Sequence, residues 1–343
     1  MRPSIAVFGA GLIGQAHIRR VTAQARLAAI VDPAPAARAL ANEHGAPWFP
    51  DPESYLSGHR PDGAIIATPN RLHEAHGLAC AASGIPMLVE KPITADTAGA
   101  ARLVDAAEKA GVPLLVGHHR RHNPLIDAAR AAIASGRLGD IVAVTAQFWL
   151  YKPDVYFEQG WRRMPGAGPV FINLIHDVDL LRFLCGEVSQ VMAIESNATR
   201  GFDVEDTTAI LMRFVNGALG TVTASDTIVA PWSWEFTAGE NPAYPHVPIQ
   251  AYKIGGTDAS LSIPDLTLWR HTTMKGWWEP MVSETLPYAA ADPLDRQMAH
   301  FVDVIAGRAV PLVSGREALR TLALVEAIKH AAETGVVQPL NPG

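Results

Sequence analysis

Short apolar runs alternate with Ala-rich amphipathic stretches through the first third of the chain. Residues 4–8, Ser-Ile-Ala-Val-Phe, form a short, largely apolar run followed by a glycine, the pattern of a strand buried on both faces. Similar runs fall at 27–31, 62–67, 86–89 and 112–116. Helical spacing holds between them, over 12–24, 34–44, 72–82 and 97–110, with Thr94 or Asp96 as N-cap of the last. Strands separated by helices of this length make βαβ units. The expected fold class is α/β, opening with a doubly wound parallel sheet whose crossovers are right-handed.

The texture changes after about residue 120. A helix is predicted over 122–135, ending at Gly136, then a long strand at 141–149 and a helix at 170–184. Strands are predicted at 188–195, 207–214 and 218–224, the last two joined by Asn216-Gly217, a strong hairpin signal. Later strands are expected at 234–237, 252–254 and 261–269, and helices at 294–305 and 316–333. The Trp-, Pro- and Tyr-rich stretch 231–248 reads as a loop near a site or interface. This divides the chain into a dinucleotide-binding domain, 1–120, and a substrate and oligomerisation domain, 121–343, with an open, mostly antiparallel sheet. The C-terminal helices are free to pack back on the first domain.

Composition narrows the class. Hydrophobic residues make up 48% and charged residues 18%, enough apolar material for sizeable cores and incompatible with a disordered chain. The net charge is −6 and no basic stripe appears, so neither nucleic acid nor an anionic membrane is an expected partner. No apolar run reaches the roughly 18 residues of a membrane span, and glycines break up what could pass for a signal peptide. Cys80 and Cys185 are far apart with no CxxC. That excludes a disulfide framework or zinc knuckle and points to a reducing, cytoplasmic setting.

Gly9-Ala10-Gly11-Leu12-Ile13-Gly14 matches GxGxxG directly after a strand and at the start of a helix. The first glycine permits the tight turn, the second lets a pyrophosphate approach, and the third allows close helix–strand packing. The helix N-terminus offers free N–H groups, those of Leu12 and Ile13 included, and a partial positive charge. Asp32 follows 21 residues after Gly11 at the end of the second strand, where a ribose-binding carboxylate belongs. Its charge would repel a 2′-phosphate, which favours NAD over NADP. Glu90-Lys91-Pro92 closes another strand of the same sheet, where a lysine is poised over a cofactor. Thr68-Pro69-Asn70 and His73 add polar groups at the end of the third strand.

Gly117-His118-His119-Arg120-Arg121-His122 ends a further strand. Its histidines lack acidic or cysteine partners, and alternation along a strand would send His118 and His119 to opposite faces, so no metal is expected. In Asn173-Leu174-Ile175-His176-Asp177, helical spacing puts Asn173, His176 and Asp177 on one face. The preceding Gly166-Ala167-Gly168-Pro169 implies a backbone that comes close to something.

Taken together, the glycine loop, Glu-Lys-Pro, Gly-His with its arginines, and the glycine loop leading into His-Asp resemble the Gfo/Idh/MocA family of nicotinamide-dependent oxidoreductases. The resemblance covers essentially the whole chain. It implies a Rossmann domain followed by an α/β domain whose open sheet packs against its mate in dimers or tetramers. It also implies oxidation of a secondary alcohol of a sugar, cyclitol or dihydrodiol, with Lys91 and His176 as the catalytic pair. The family's usual aspartate four residues before the histidine is replaced here by Ile172, which leaves Asn173 or Asp177 as candidate support. Hydride transfer requires a proton acceptor. A histidine starts near about 6.5 and suits that task, whereas a lysine starts near about 10.4, so His176 is read as base and Lys91 as the group that polarises the oxygen. His118, Arg120, Arg121, Trp149, Tyr151, Trp161 and Arg163 are the expected substrate contacts. Aromatic faces suit a cyclic polyhydroxylated substrate, and the arginines, Arg121 and Arg163 above all, suit a carboxylate. Alternatives on the same fold are a non-catalytic dinucleotide sensor and an NAD-dependent glycosidase. A metal-dependent hydrolase lacks its ligands.

Overall fold

Burial on both faces is what the short apolar runs near the N-terminus require. The computed structural model, which describes residues 2–341, provides it by setting them side by side. The chain forms two units, Met1–His122 with Ala291–Leu322, and Asn123–Ala290 with Ala323–Gly343.

In the first unit the elements run β1 (Ser4–Phe8), α1 (Leu12–Gln24), β2 (Arg26–Val31), α2 (Pro35–Glu43), β3 (Trp48–Phe49), α3 (Pro52–Leu56), β4 (Gly63–Ile66), α4 (His73–Ala82), β5 (Met87–Val89), α5 (Thr97–Lys109) and β6 (Leu114–Val116). The strands form a parallel sheet in the order β3-β2-β1-β4-β5-β6. Every residue of β1, β4, β5 and β6 is buried, as continuous apolar runs demand. Of the two N-cap candidates for α5, Asp96 does the capping, accepting from the Gly99 N–H at 2.7 Å, while Thr94 donates to the Asp96 carbonyl. The unit is completed by α9 (Pro293–Ile305), tied to α1 by Arg20, which reaches Asp292 and Asp295 at 2.5 and 2.8 Å.

The second unit holds α6 (Pro124–Ala134), β7 (Ile141–Trp149), α7 (Ile175–Cys185), β8 (Val188–Ser196), β9 (Thr207–Phe214), β10 (Leu219–Ser225), α8 (Trp234–Thr237), β11 (Tyr252–Gly256), β12 (Ala259–Ile263), β13 (Thr267–His271), β14 (Met281–Thr285) and β15 (Gln338–Pro339). The last helix, α10 (Gly315–Thr334), begins in the first unit and ends in the second. Among the described residues the sheet runs β14-β13-β12-β11-β7-β10-β9-β8-β15 and is antiparallel except at β10–β7. Alternation decides its two faces: Ile210, Met212 and Phe214 join the core with α6, α7 and the end of α10, while Leu211 and Arg213 face outward. The Asn-Gly hairpin forms as expected, with Gly217 at φ +90° and the Asn216 side chain accepting from the Ala218 N–H.

Four sequence expectations differ from this structure. Residues 234–237 form a helical turn rather than a strand, because Thr237 Oγ1 donates back to the Ser233 carbonyl at 2.7 Å. Residues 261–269 are two antiparallel strands, since Pro264 has no N–H to continue a ladder and Leu266 turns the chain at φ +52°. The 170–184 helix opens with a π-helical turn over Val170–Leu174, which holds Asn173, before α7 begins at Ile175. His119–His122 is a 3-10 turn, so strand alternation does not separate His118 from His119.

That turn packs on α9. The His122 ring is buried 5.3 Å from the His300 ring, and Arg296 donates to the His122 carbonyl. Burial, reinforced by His300, His119, Arg296 and Arg121, pushes the His122 pKa down to about 3. The folded protein therefore declines a proton that the unfolded chain takes up below about pH 6.5. The unfolded state binds more protons in that window, so stability drops as pH falls from about 6.5 towards 3. At pH 5 this group alone removes about 2 kcal/mol. Urea unfolding at pH 7 and pH 5 is expected to show a smaller difference for His122→Phe than for the native protein.

Candidate active site

The strand order reverses between β1 and β4, the position where open α/β sheets bind ligands at the carboxyl ends of their strands. The glycine loop follows β1 there. Gly9 has φ +95°, and a Cβ on it would meet the Ala67 carbonyl oxygen at 2.4 Å. A Cβ on Gly14 would meet the Gly9 oxygen at 2.1 Å. These two glycines are required by packing alone. Gly11 differs, since a Cβ there would meet nothing within 4 Å. It is the N-cap of α1, whose first turn has no side-chain cap, so the N–H groups of Leu12 and Ile13 face open space beside it. Asp32 holds the loop from the side: Oδ2 accepts from the Ala10 N–H and Oδ1 from the Ala34 N–H, both at 2.8 Å. This cradle fits a dinucleotide. Phosphates would lie on the Gly11–Ile13 backbone, and the Asp32 carboxylate retains lone pairs for a ribose hydroxyl.

Glu90 and Lys91 follow β5. The Glu90 carboxylate is buried, Oε1 lying 2.7 Å from His17 Nε2 and Oε2 accepting from the Lys91 N–H at 3.2 Å. Burial on its own raises the Glu90 pKa. The hydrogen bond and charge of His17, with His119 and Lys91, outweigh that and hold it below the usual carboxylate range. Gly117 leaves room for it, since a Cβ there would sit 2.8 Å from the carboxylate. Lys91 is half-buried, and its peptide bond to Pro92 is cis. Thr68, Pro69 and Asn70 lie at the end of β4, with Thr68 Oγ1 3.1 Å from His76 Nδ1. His73 is not turned towards a ligand. It is buried, with ring nitrogens 2.7 Å from the Thr68 carbonyl and 2.8 Å from the Pro92 carbonyl, so it braces the two loops. Burial lowers its pKa, against those hydrogen bonds.

His118, Arg120 and Arg121 are all buried. Arg121, expected to meet an anion, instead pairs with Glu317 at 3.0 Å. In the second unit, His176 and Asp177 are buried in the first turn of α7, and Asp177 accepts from the Tyr252 hydroxyl. Tyr252 in turn stacks on Trp234. Asn173 lies in the π turn with its side-chain oxygen buried and without a hydrogen-bond partner among the described residues. What the 166–169 backbone approaches is Glu205, because a Cβ on Gly168 would meet its carboxylate at 2.1 Å. Trp149 lies on the outer face of the sheet, donating to Thr223 Oγ1 at 2.9 Å. Tyr151, Trp161 and Arg163 are exposed, and Arg163 donates to the Phe157 carbonyl.

Two features escaped the sequence reading. His17 gave only the faint signal of a histidine on the buried face of α1, three residues past Gly14. Arg200 gave none, yet its Nε donates to Asp226 at 2.8 Å, and the buried Lys152 lies 3.7 Å from the same carboxylate. Burial lowers the Lys152 pKa despite that neighbour.

Comparison with known proteins agrees with this geometry. Residues 4–118 match the model described as an oxidoreductase family with an NAD-binding Rossmann fold, and residues 126–261 match the GFO/IDH/MocA C-terminal domain. The chain is 30% identical over 229 residues to inositol 2-dehydrogenase 2 of Saccharopolyspora erythraea, an alignment spanning 64% of this chain and 65% of that enzyme. It is 28% identical over 287 residues to the 1,5-anhydro-D-fructose reductase of Ensifer adhaerens, covering 82% of this chain and 80% of that one. The WlbA dehydrogenase of Bordetella pertussis, solved with NADH and UDP-GlcNAcA, superposes with TM-score 0.80 and 25% identity over 99% of both chains. Matched in both halves by models of one family, the chain belongs to the GFO/IDH/MocA oxidoreductases.

Proposed function

We propose that this protein is an NAD-dependent dehydrogenase acting on a secondary alcohol of a cyclic, polyhydroxylated or carboxylated small molecule. The observation that carries this reading is the open cradle at Gly11 beside Asp32, with Lys91 after β5, two strands from β1 in the same sheet. Relatives named for inositol and for 1,5-anhydro-D-fructose, and a neighbour solved with a nucleotide sugar, support the substrate class. Bound NAD supplies the hydride acceptor.

The chain's own residues hold the cofactor and move the proton. Leu12 and Ile13 N–H groups meet the phosphates and Asp32 the ribose. Thr68, Pro69, Asn70 and the Glu90–Lys91 backbone line the nicotinamide end. His176 is assigned the acceptance of the hydroxyl proton, and Lys91 the stabilisation of negative charge on a substrate oxygen. His118, Arg120, Tyr151, Trp161 and Arg163 remain candidate substrate contacts. The two cysteines are free and buried, their thiols pushed up to about 12 by burial, which suits a reducing cytoplasm. Among the described residues no helix is long and apolar enough to cross a membrane.

Self-association belongs to the same reading. The outer face of the second sheet exposes Met192, Ile194, Leu211 and Leu219, and Leu211 lies directly opposite Met192 across the β8–β9 ladder. An apolar strip of this kind on an uncovered sheet is suited to a second copy of the chain.

Lys91→Ala is expected to lower kcat by about 10²- to 10⁴-fold with NAD affinity nearly unchanged, measured by NAD reduction across cyclitols, sugars and sugar acids and by calorimetry. Unaltered turnover would refute the assignment. Gly11→Val is expected to raise the NAD Kd at least about tenfold while Tm stays within about 2 °C, because its side chain enters open space rather than protein. The double substitution Leu211→Arg with Leu219→Arg should give a monomer by light scattering, where the native protein gives a dimer or larger.

A further inference from the structure

The buried histidine on α1 has no part in the mechanism above, yet it lies beneath the catalytic lysine's loop. We infer that His17 is a positioning residue for Lys91, acting through the Glu90 carboxylate. This inference rests on the reading of Lys91 as catalytic.

The geometry is a relay of three contacts. His17 Nε2 lies 2.7 Å from Glu90 Oε1, and the other carboxylate oxygen, Oε2, accepts the Lys91 backbone N–H at 3.2 Å. The third contact is steric: Gly117 presents no Cβ, and one there would sit 2.8 Å from the carboxylate. One oxygen is therefore fixed by α1 and the other fixes the peptide that carries the lysine. A buried carboxylate swings or protonates when a donor is taken away. His17 thus controls both the direction of the Lys91 peptide and the presence of a negative charge beside its amine. The titratable groups facing Glu90 are His17 from α1, His73 from α4, His119 from the turn after β6, and Lys91 itself. His17 Nδ1 is buried without a hydrogen-bond partner among the described residues. With Nε2 directed at Glu90 Oε1, His17 supports the buried carboxylate, which keeps its negative charge.

This charge has a purpose in the proposed reaction. The amine must remain an ammonium to stabilise negative charge on the substrate oxygen, and a nearby carboxylate favours that form. The same helix that offers its N-terminus to the cofactor's phosphates also carries His17. One rigid element thereby sets both the dinucleotide and, through Glu90, the lysine.

The test compares His17→Ala, His17→Gln, Glu90→Gln and Lys91→Ala. Steady-state kinetics and the NAD Kd are measured for each, with amide exchange of the 88–94 segment and pH-dependent amine labelling of Lys91 in cofactor-free protein. For His17→Ala we expect kcat to fall on the order of 10- to 100-fold, the loss that follows displacement by about 1 Å, with KM and NAD Kd within about threefold. The Lys91 amide should exchange faster. His17→Gln, whose side-chain amide can donate from nearly the same place, should recover most of kcat. Glu90→Gln should move the midpoint of Lys91 labelling to lower pH. The inference is overturned if His17→Ala keeps native kcat and native amide exchange, or if its loss appears equally in NAD affinity. A folded His17→Gln that recovers nothing, or an unmoved labelling midpoint in Glu90→Gln, overturns it as well. An active Lys91→Ala would instead sink the catalytic reading, while amide exchange still reports whether His17 holds the loop. Should His17→Ala fail to fold, the Gln variants decide.

Discussion

A carboxylate buried in protein is stable only where donors and space have been arranged around it, and Glu90 imposes that condition on the whole first unit. Its oxygens need His17 from α1 and the Lys91 N–H, and its volume needs Gly117 after β6. Three elements distant in sequence are thereby held to one point. The same α1 must also approach β1 and β4 closely enough that Gly9 and Gly14 tolerate no side chain. Small displacements of this helix would be felt at the glycine loop and under Lys91 together.

The second unit repeats the device with different residues. Glu205 is buried against Gly168, which has no side chain to obstruct it, and accepts from Lys329 of α10 at 2.7 Å. Lys329 also reaches Glu195 at 2.7 Å, and these two acids raise its pKa against the opposing effect of burial. The glycine-rich approach to α7 is therefore anchored by an ion pair, and the π turn that follows delivers Asn173 and His176 from a fixed starting point. Asp177, one residue on, is taken by Tyr252 and so belongs to the packing of α7 on β11.

Much of this was legible in one dimension because the signals were local. The apolar strand runs, the GxGxxG loop, the Asp96 cap and the Asn216-Gly217 hairpin each depend on residues within about a turn or a strand of one another, and Asp32 lies one βα unit past the loop. The misreadings have local physical causes too. Trp234 and Phe236 look like strand residues, yet a backward hydroxyl bond from Thr237 closes a helical turn. Pro264 cut one expected strand into two. His73 and Arg121 carried the right chemistry for a ligand, but their nitrogens are occupied by partners that sequence cannot name, the Thr68 and Pro92 carbonyls and Glu317.

The chain's own order of residues determined the architecture and the cofactor class, because periodicity and glycine requirements follow from backbone sterics that act over a few residues. Tertiary structure alone decided which charged groups are available and which are spent. Partners such as His17 and Glu90, 73 positions apart, or Lys329 and Glu205, 124 apart, meet only when strands pair and helices dock. Burial then multiplies the consequence, since a charge removed from water must be answered by whatever the fold brings beside it.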